Sequence, residues 1–196
     1  MADALIMAGV KQPGGRRPAP GELALVQQFV NSVDREHGPE LFDTPDQLRR
    51  WLLGRKLITR RDPIGEAERQ QAIEAREGLR ALLLANNGVA LDPEAVEALN
   101  HATRNADTLV RLDRHARSDL VPIRAGLDGA LGRIMAIVHR SMADGTWQRF
   151  KACPNHVCHW AFYDHSKNQS GTWCSMAICG GRIKRRAYHR RRRAGG

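Results

Sequence analysis

The residues with the clearest chemistry are four cysteines, all of which lie within residues 153–179 of a 196-residue chain: Cys153, Cys158, Cys174 and Cys179. They form two Cys-x4-Cys pairs separated by 15 residues. Each short loop can bring two sulfur atoms together, and the insert can bring the second pair to the first, as in a tetrahedral metal site. Zn²⁺ accepts four thiolates, and such a shell leaves no open position for water or substrate. The spacing therefore predicts one structural zinc ion.

Two other interpretations of the cysteines stay open at this point. His156, His159 and His165 are close enough in sequence to replace a sulfur ligand, although four cysteines already complete a tetrahedral shell. A redox switch built from two disulfides is the chemical alternative, and disulfides persist mainly in oxidising compartments. The N-terminal apolar run precedes the basic residues, which is the reverse of a secretory signal. We therefore expect a cytoplasmic protein with reduced cysteines.

Positive charge is concentrated around the cysteines. The formal net charge is +10, and residues 149–196 account for all of it, with eleven Lys and Arg and one acid. Residues 1–148 hold twenty Lys and Arg and twenty acids. A neutral body with a strongly basic end predicts a polyanionic partner, with DNA favoured and RNA as the alternative. No apolar run reaches the roughly 18 residues that span a bilayer, so we expect no membrane partner.

The elements that must position these groups are predicted from the residues between and after the cysteines. An aromatic run at 160–163 predicts a strand, and a polar turn follows it. Ser175 can cap a helix that runs from Met176 towards Arg193. A cysteine pair, a hairpin and a second pair at a helix start are typical of a treble-clef-like zinc finger. Three aromatic side chains would form its small core or, if exposed, stack on RNA bases: Trp160, Phe162 and Tyr163.

The helix after the second cysteine pair carries the candidate nucleic-acid contacts. A metal bound by Cys174 and Cys179 would fix the start of this helix, so that the following arginines project from a rigid rod. The planar guanidinium suits phosphate oxygens and guanine edges in a major groove. The alternative is a frayed basic tail that binds any polyanion. The candidate contact residues are Arg182, Lys184, Arg185, Arg186 and Arg190.

The larger, neutral part predicts a mostly helical α+β domain over 21–146, after a flexible, Pro- and Gly-rich arm at 1–20 and before the finger at 147–196. Two β-prone runs, 108–112 and 119–123, predict a short β-hairpin. No histidine or carboxylate there has the spacing of a metal-binding or catalytic group, so we expect no enzyme. Amphipathic helices are predicted at 22–35, where a strand is the alternative, from Pro45 towards Gly54, at 64–86, from Pro93 onward, and at 126–143.

Several stretches resemble a known bacterial family. "KACPNHVCHWAFYDHSKNQSGTWCSMAICGGRIKRRAYHRRRR" resembles the CGNR zinc finger in its Cys-x4-Cys, its "WAFYDHSKNQSGTWCSMA" stretch and Arg182 in an arginine-rich helix. "LALVQQFVNSVD", "ELFDTPDQLRRWL" and "REGLRALLLANNG" resemble the ABATE domain that usually precedes this finger in bacterial stress-induced transcription regulators. The resemblance covers nearly the whole chain after the N-terminal arm.

The resemblance implies an α+β N-terminal domain, structural zinc on the four cysteines and a role in DNA binding. One position departs from the family pattern, because Gly181 stands where the family's Cys-Gly-Asn-Arg has an asparagine. We therefore expect a nucleoid-associated transcription regulator whose N-terminal domain senses an unidentified small-molecule ligand or forms a homodimer. An RNA- or ribosome-associated protein is the alternative, and an enzyme that uses the finger for targeting is a third, less favoured class.

Overall fold

The computed structural model describes residues 12–194, with backbone alone at 187, 190, 191, 193 and 194. Its fold is α+β, as predicted, with two separate two-stranded antiparallel hairpins, β1–β2 and β3–β4. The helices are α1 Leu23–Val30, α2 Pro45–Gly54, α3 Glu66–Ala85, α4 Pro93–Ala102, α5 Gly126–Ala143 and α6 Gly181–Ala194. The strands are β1 Thr108–Leu112, β2 Ser118–Pro122, β3 Phe150–Ala152 and β4 Ala161–Tyr163.

Local sequence signals account for where several of these elements begin. Thr44 accepts a hydrogen bond from the backbone N–H of Gln47, whose side chain accepts from the Thr44 N–H, and this capping box starts α2. The Asp92 carboxylate caps α4 by accepting a hydrogen bond from the backbone N–H of Glu94. The predicted β1–β2 hairpin forms, in a register that pairs Thr108 with Pro122. The first predicted helix is shorter than expected and ends at Val30.

The N-terminal domain is built around a buried aromatic group. Three aromatic rings pack together with centroids 5.4–5.8 Å apart: Phe29 of α1, Trp51 of α2, and Phe42, which precedes α2. Apolar residues on one side of α3 and α5 extend this core. Gly78 lets α3 approach α4 closely, because a Cβ at that position would lie 2.6 Å from the Cβ of Leu99. The helices form a scaffold, and residues of the β3–β4 hairpin pack against one side of it.

The β3–β4 hairpin belongs to this scaffold and to the cysteine region at once. Phe150, Ala161 and Tyr163 are part of the main core. Trp160 and Phe162, which alternate with them, are buried against the cysteines. Alternation follows from the two-residue period of a strand, which sends successive side chains to opposite faces. All three aromatics predicted as finger core are buried, but Tyr163 packs into the N-terminal domain.

The position of this hairpin corrects one expectation. We expected the hairpin to lie between the two cysteine pairs, whereas β3 precedes Cys153 and pairs with β4 across the first pair. The Cys153 N–H donates to the carbonyl of Trp160, which continues the pairing up to the cysteine. The first Cys-x4-Cys loop is therefore the tip of the hairpin.

Buried polar side chains of the N-terminal domain hold β4 in place. The Asn31 amide donates to the carbonyl of Ala161 at 2.8 Å and accepts from its N–H at 2.8 Å. Gln27 donates to the same carbonyl, and Arg80 donates to the carbonyl of His159. These bonds satisfy backbone groups that would otherwise be buried without partners. They also explain why α1 ends at Val30, because Asn31 leaves the helix to face the strand.

Two asparagines after α3 fasten the hairpin from its other side. Asn86 donates to the carbonyls of Trp147 and Phe150. Asn87 donates to the carbonyls of Ala152 and Thr172. These asparagines also end α3, with Asn86 as its C-terminal cap. They form part of the junction between the two regions.

In the segment predicted as a flexible arm, 1–20, residues 12–20 contact the rest of the chain, and residues 1–11 lie outside the described residues. Pro13–Gly15 form a 3-10 turn against the finger, and Ala19 is buried in the main core. Gln12 accepts from the indole N–H of Trp160 and from Gln27. Gly14 has φ of 64°, and a Cβ there would lie 2.6 Å from the Ser175 hydroxyl. The segment is ordered because the finger offers it hydrogen-bond partners that a Pro-rich chain cannot supply to itself.

Candidate metal centre and adjoining basic helix

The four cysteines meet at the junction of the hairpin tip and a single π-helical turn, Met176–Gly180. Their sulfur atoms all lie within 4.8 Å of one another, and all four residues are buried. The Sγ of Cys174 lies 3.6 Å from that of Cys158 and 3.5 Å from that of Cys179. These separations far exceed the roughly 2.05 Å of a disulfide bond. The four are free thiols that converge on one point.

This donor set fits Zn²⁺. Tetrahedral zinc with Zn–S bonds of about 2.3 Å requires sulfur atoms about 3.8 Å apart, close to the separations found between the cysteines. Hydrogen bonds from Cys158 and Cys174 lower the pKa of Cys153 to about 2, and the same contacts raise the pKa values of Cys158 and Cys174. Like charges packed this closely cannot all ionise alone, whereas a divalent cation compensates all four thiolates.

Short-range backbone bonds build the two cysteine loops. In the first loop, the Asn155 carbonyl accepts from the N–H groups of Cys158 and His159. In the second, the predicted cap is present, because the Ser175 hydroxyl accepts from the N–H of Ile178. The π-helical turn contains Cys179 and leads directly into α6, which begins two residues later at Gly181. Both loops therefore turn their sulfur atoms to the same side.

Asn155 links the two loops and was not identified from the sequence. It is 2% exposed, and its amide donates to the Sγ of Cys179 at 3.3 Å. The other amide atom, Oδ1, is buried and has no hydrogen-bond partner among the described residues. A buried amide oxygen without a partner is unfavourable, so we infer that the side chain is kept for its N–H···S bond to Cys179. The "PNHVC" stretch gives no sign of this contact, because the partner is 24 residues away.

The three histidines considered as rival ligands lie outside this group. Within residues 12–194, the cluster of potential metal ligands consists of the four cysteines alone. The His165 ring nitrogen Nε2 lies 3.0 Å from the carbonyl of Pro18. His156 is exposed, and burial is the main factor that lowers the pKa of His159. The sulfur shell predicted from the spacing is the one that forms.

Helix α6 continues from the second cysteine pair and presents the predicted basic residues. Lys184, Arg185 and Arg186 are exposed and form no ion pair or hydrogen bond within the described part of the chain. Arg182 is only 34% exposed and pairs with the carboxylate of Glu36 in the loop after α1. Arg190 lies in α6, but its side chain is outside the described residues.

Arg16 connects the arm to the same region. Its guanidinium donates to the carbonyls of Cys174, Trp173 and Tyr163, and it lies 4.5 Å from the centroid of the Phe162 ring. The first two carbonyls lie at the start of the second cysteine pair, and the third belongs to β4. Arg16 thus has a structural role close to the metal centre, although the sequence placed it in a flexible arm.

Comparison with known families agrees with this architecture. Residues 23–144 match the ABATE family model, described as "Putative stress-induced transcription regulator". The chain belongs to the ABATE family. Residues 149–192 of this ABATE protein match the CGNR zinc finger. Together with the cluster of four thiols, the second match confirms the predicted finger with one structural Zn²⁺.

The comparisons bear on the class of this ABATE protein. It carries a zinc finger attached to a regulator-family domain, and neither matched family is an enzyme family. No curated protein matches the chain. Among residues 12–194, no helix combines the length and apolar character that a membrane span requires.

Proposed function

We propose that the chain is a zinc-dependent DNA-binding protein and a transcriptional regulator. In this proposal, Cys153, Cys158, Cys174 and Cys179 ligate one Zn²⁺, and Arg182, Lys184, Arg185, Arg186 and Arg190 contact DNA. The observation that carries the proposal is the position of three exposed cations, without an ion pair among the described residues, on a helix that starts two residues after Cys179 of the four-thiol cluster.

The role of the metal in this proposal is mechanical. A closed Cys₄ shell offers no catalytic position, and it joins the hairpin tip to the start of α6. A helix of 14 residues is about 21 Å long, which suits insertion along a major groove. Four thiolates with one Zn²⁺ lower the formal charge of the finger by about 2, which leaves the region strongly cationic.

DNA is favoured over RNA because of the aromatic residues. Trp160, Phe162 and Tyr163 are 1–5% exposed, so none offers a free ring face for base stacking. Recognition of single-stranded RNA relies on such stacking. The exposed groups near the finger are cations, which suit a phosphate backbone.

Fluorescence anisotropy with a random-sequence duplex at low salt tests the proposal. We expect the zinc-loaded protein to bind, with a log–log salt slope near −5 if about six phosphates are neutralised. The triple variant K184A/R185A/R186A should reduce the magnitude of that slope by about 3. The control K56A/R60A/R61A removes the same charge from exposed residues of the N-terminal domain. Absence of binding, or equal losses in both variants, would overturn the proposal, and tighter binding of matched single-stranded RNA would support the RNA alternative.

We assign the N-terminal domain to sensing a small-molecule ligand or to pairing subunits. A regulator with one short finger gains specificity when two copies read two half-sites. Light scattering on the purified protein, with and without duplex DNA, measures whether such a dimer forms. A strictly monomeric protein in both conditions would remove the dimerisation role.

A further inference from the structure

A cavity lies on the flank of the finger. It has a volume of about 440 Å³ and is bounded by the arm, by the polar loop 164–172 and by Met176, the first residue of the π-helical turn. Arg16 and Arg17 contribute two positive charges to its wall. The cavity therefore lies close to the start of the segment that leads into α6.

The acidic group in this cavity is fully used by the protein itself. Asp164 Oδ1 accepts from the N–H of Ser166, and Oδ2 accepts from the N–H of Gly171. Lys151 pairs with the same carboxylate at 3.3 Å, and both side chains are buried. Because Lys151 cancels the charge of Asp164, the arginines determine the charge of the cavity. A cation would find no free carboxylate there.

Two side chains of the cavity wall, Arg17 and Ser170, have unused hydrogen-bonding capacity. Arg17 is exposed, and its guanidinium has no hydrogen bond or ion pair with any described residue. The Ser170 hydroxyl also has no partner in that range, and Lys167, on the same loop, is exposed and unpaired. Arg16, in contrast, is held by the three backbone carbonyls. A cation and a hydroxyl in the cavity wall, with a second cation on the adjoining loop, are the groups that bind an oxyanion.

We propose that this cavity binds a backbone phosphate of the DNA that α6 contacts, with Arg17 and Lys167 supplying the charge and Ser170 a hydrogen bond. The inference rests on the proposed function and extends the interface from the helix to the arm and the polar loop. Phosphate contacts of this kind fix the orientation of a DNA-binding helix on the duplex without recognising the base sequence. The arm then serves DNA binding as well as the attachment of the finger.

Salt-dependent binding of random duplex DNA tests this site, with the zinc content of every variant verified first. The double variant R17A/K167A should bind at least tenfold more weakly at 0.1 M salt and reduce the magnitude of the salt slope by nearly 2. The control K56A/R61A removes the same charge from exposed, unpaired side chains of the N-terminal domain.

A second pair of variants separates charge from fold. S170E adds an anion beside the cavity and should weaken binding, whereas S118E adds the same charge to the exposed end of β2 and should have a smaller effect. If R17A/K167A and S170E match their controls while the wild type binds DNA, the phosphate site is wrong and the proposed function stands. If the wild type does not bind DNA, both fail together.

Discussion

The guanidinium of Arg182 is paired with the carboxylate of Glu36, and this pair joins the first turn of α6 to the loop after α1. Both side chains are partly buried, and the contact spans 146 residues of sequence. A residue proposed to contact DNA is therefore held by a carboxylate of the N-terminal domain in the free protein. DNA binding through Arg182 requires that phosphate oxygens replace Glu36.

The substitution Glu36→Gln is expected to tighten DNA binding. It removes the competing carboxylate, so we expect a roughly two- to fivefold lower Kd at low salt, which is the size of effect expected for a partly exposed ion pair. Anisotropy titration measures this change. Glu97→Gln is the matched control, because it removes one negative charge from an exposed position on α4. Equal changes in the two variants would mean that Glu36 acts only through net charge.

Loss of the Asn155 side chain is expected to weaken zinc binding. The amide donates to the Cys179 sulfur, and bonds of this kind to a metal ligand typically change metal affinity 10- to 100-fold. Competition with a chromophoric chelator measures the affinity of Asn155→Ala, and the Co²⁺-substituted protein reports changes in the ligand field. His156→Ala alters the exposed neighbouring residue and should match the wild type. An unchanged affinity in Asn155→Ala would show that the amide has no influence on the metal.

Removal of the metal is expected to unfold part of the finger only. The second cysteine pair and the π-helical turn depend on the metal, whereas Phe150 and Tyr163 are anchored in the main core. Chelation, or the substitution Cys174→Ser, should therefore abolish protection from hydrogen exchange in 172–186 and leave β3 and β4 protected. Mass spectrometry of exchanged peptides measures both regions. Loss of protection in β3 and β4 as well would mean that the hairpin also requires the metal.

Truncation of Asn31 is expected to destabilise the whole chain. It leaves the Ala161 N–H buried without a partner, which costs about 1–3 kcal/mol of unfolding free energy. Urea denaturation of Asn31→Ala at saturating zinc measures this loss. Asn100→Ala, an exposed change on α4, should cost less than about 0.5 kcal/mol. Equal stabilities of the two variants would contradict the role of Asn31 at the junction.

Asp164 is expected to make stability depend on pH in the acid range. Burial alone would raise its pKa, but the hydrogen bonds from Ser166 and Gly171 and the contact with Lys151 lower it from 3.8 to about 2. A lowered folded-state pKa stabilises the protein by about 2 kcal/mol above pH 4, and this stability is lost as the pH falls from about 4 to 2.

The stability difference between wild type and Asp164→Asn should therefore shrink between pH 5 and pH 2.5. Both proteins are measured by urea denaturation at the same zinc concentration, so that acid release of the metal affects both equally. Asp43→Asn, at an exposed carboxylate, serves as the reference. A difference that stays constant with pH would contradict the ionised state of Asp164 in the folded protein.

The features predicted from the sequence are those that depend on neighbours along the chain. The cysteine cluster follows from two short loops, and the helix starts at Pro45 and Pro93 follow from capping residues. The hairpin of β1 and β2 follows from two β-prone runs around a polar loop. Each of these signals lies within a few residues of the structure that it determines.

The features missed from the sequence depend on partners far away. Gln27 and Asn31 are polar, yet both are buried because the backbone of Ala161 lies opposite them. Arg16 and Asn87 likewise bind carbonyls that the fold brings near. A polar residue on the apolar side of a predicted helix is the one signal that could have identified Gln27 and Asn31.

The three-residue strand β4, with one face towards the thiols and the other towards the main core, bears on how such proteins can be recombined. A chimaera that receives a foreign finger at residue 147 would also receive foreign residues in place of Ala161 and Tyr163, inside the packing of its host. We expect such exchanges to succeed only when the graft carries matching side chains at these two positions. The finger and the helical domain therefore have to be exchanged together.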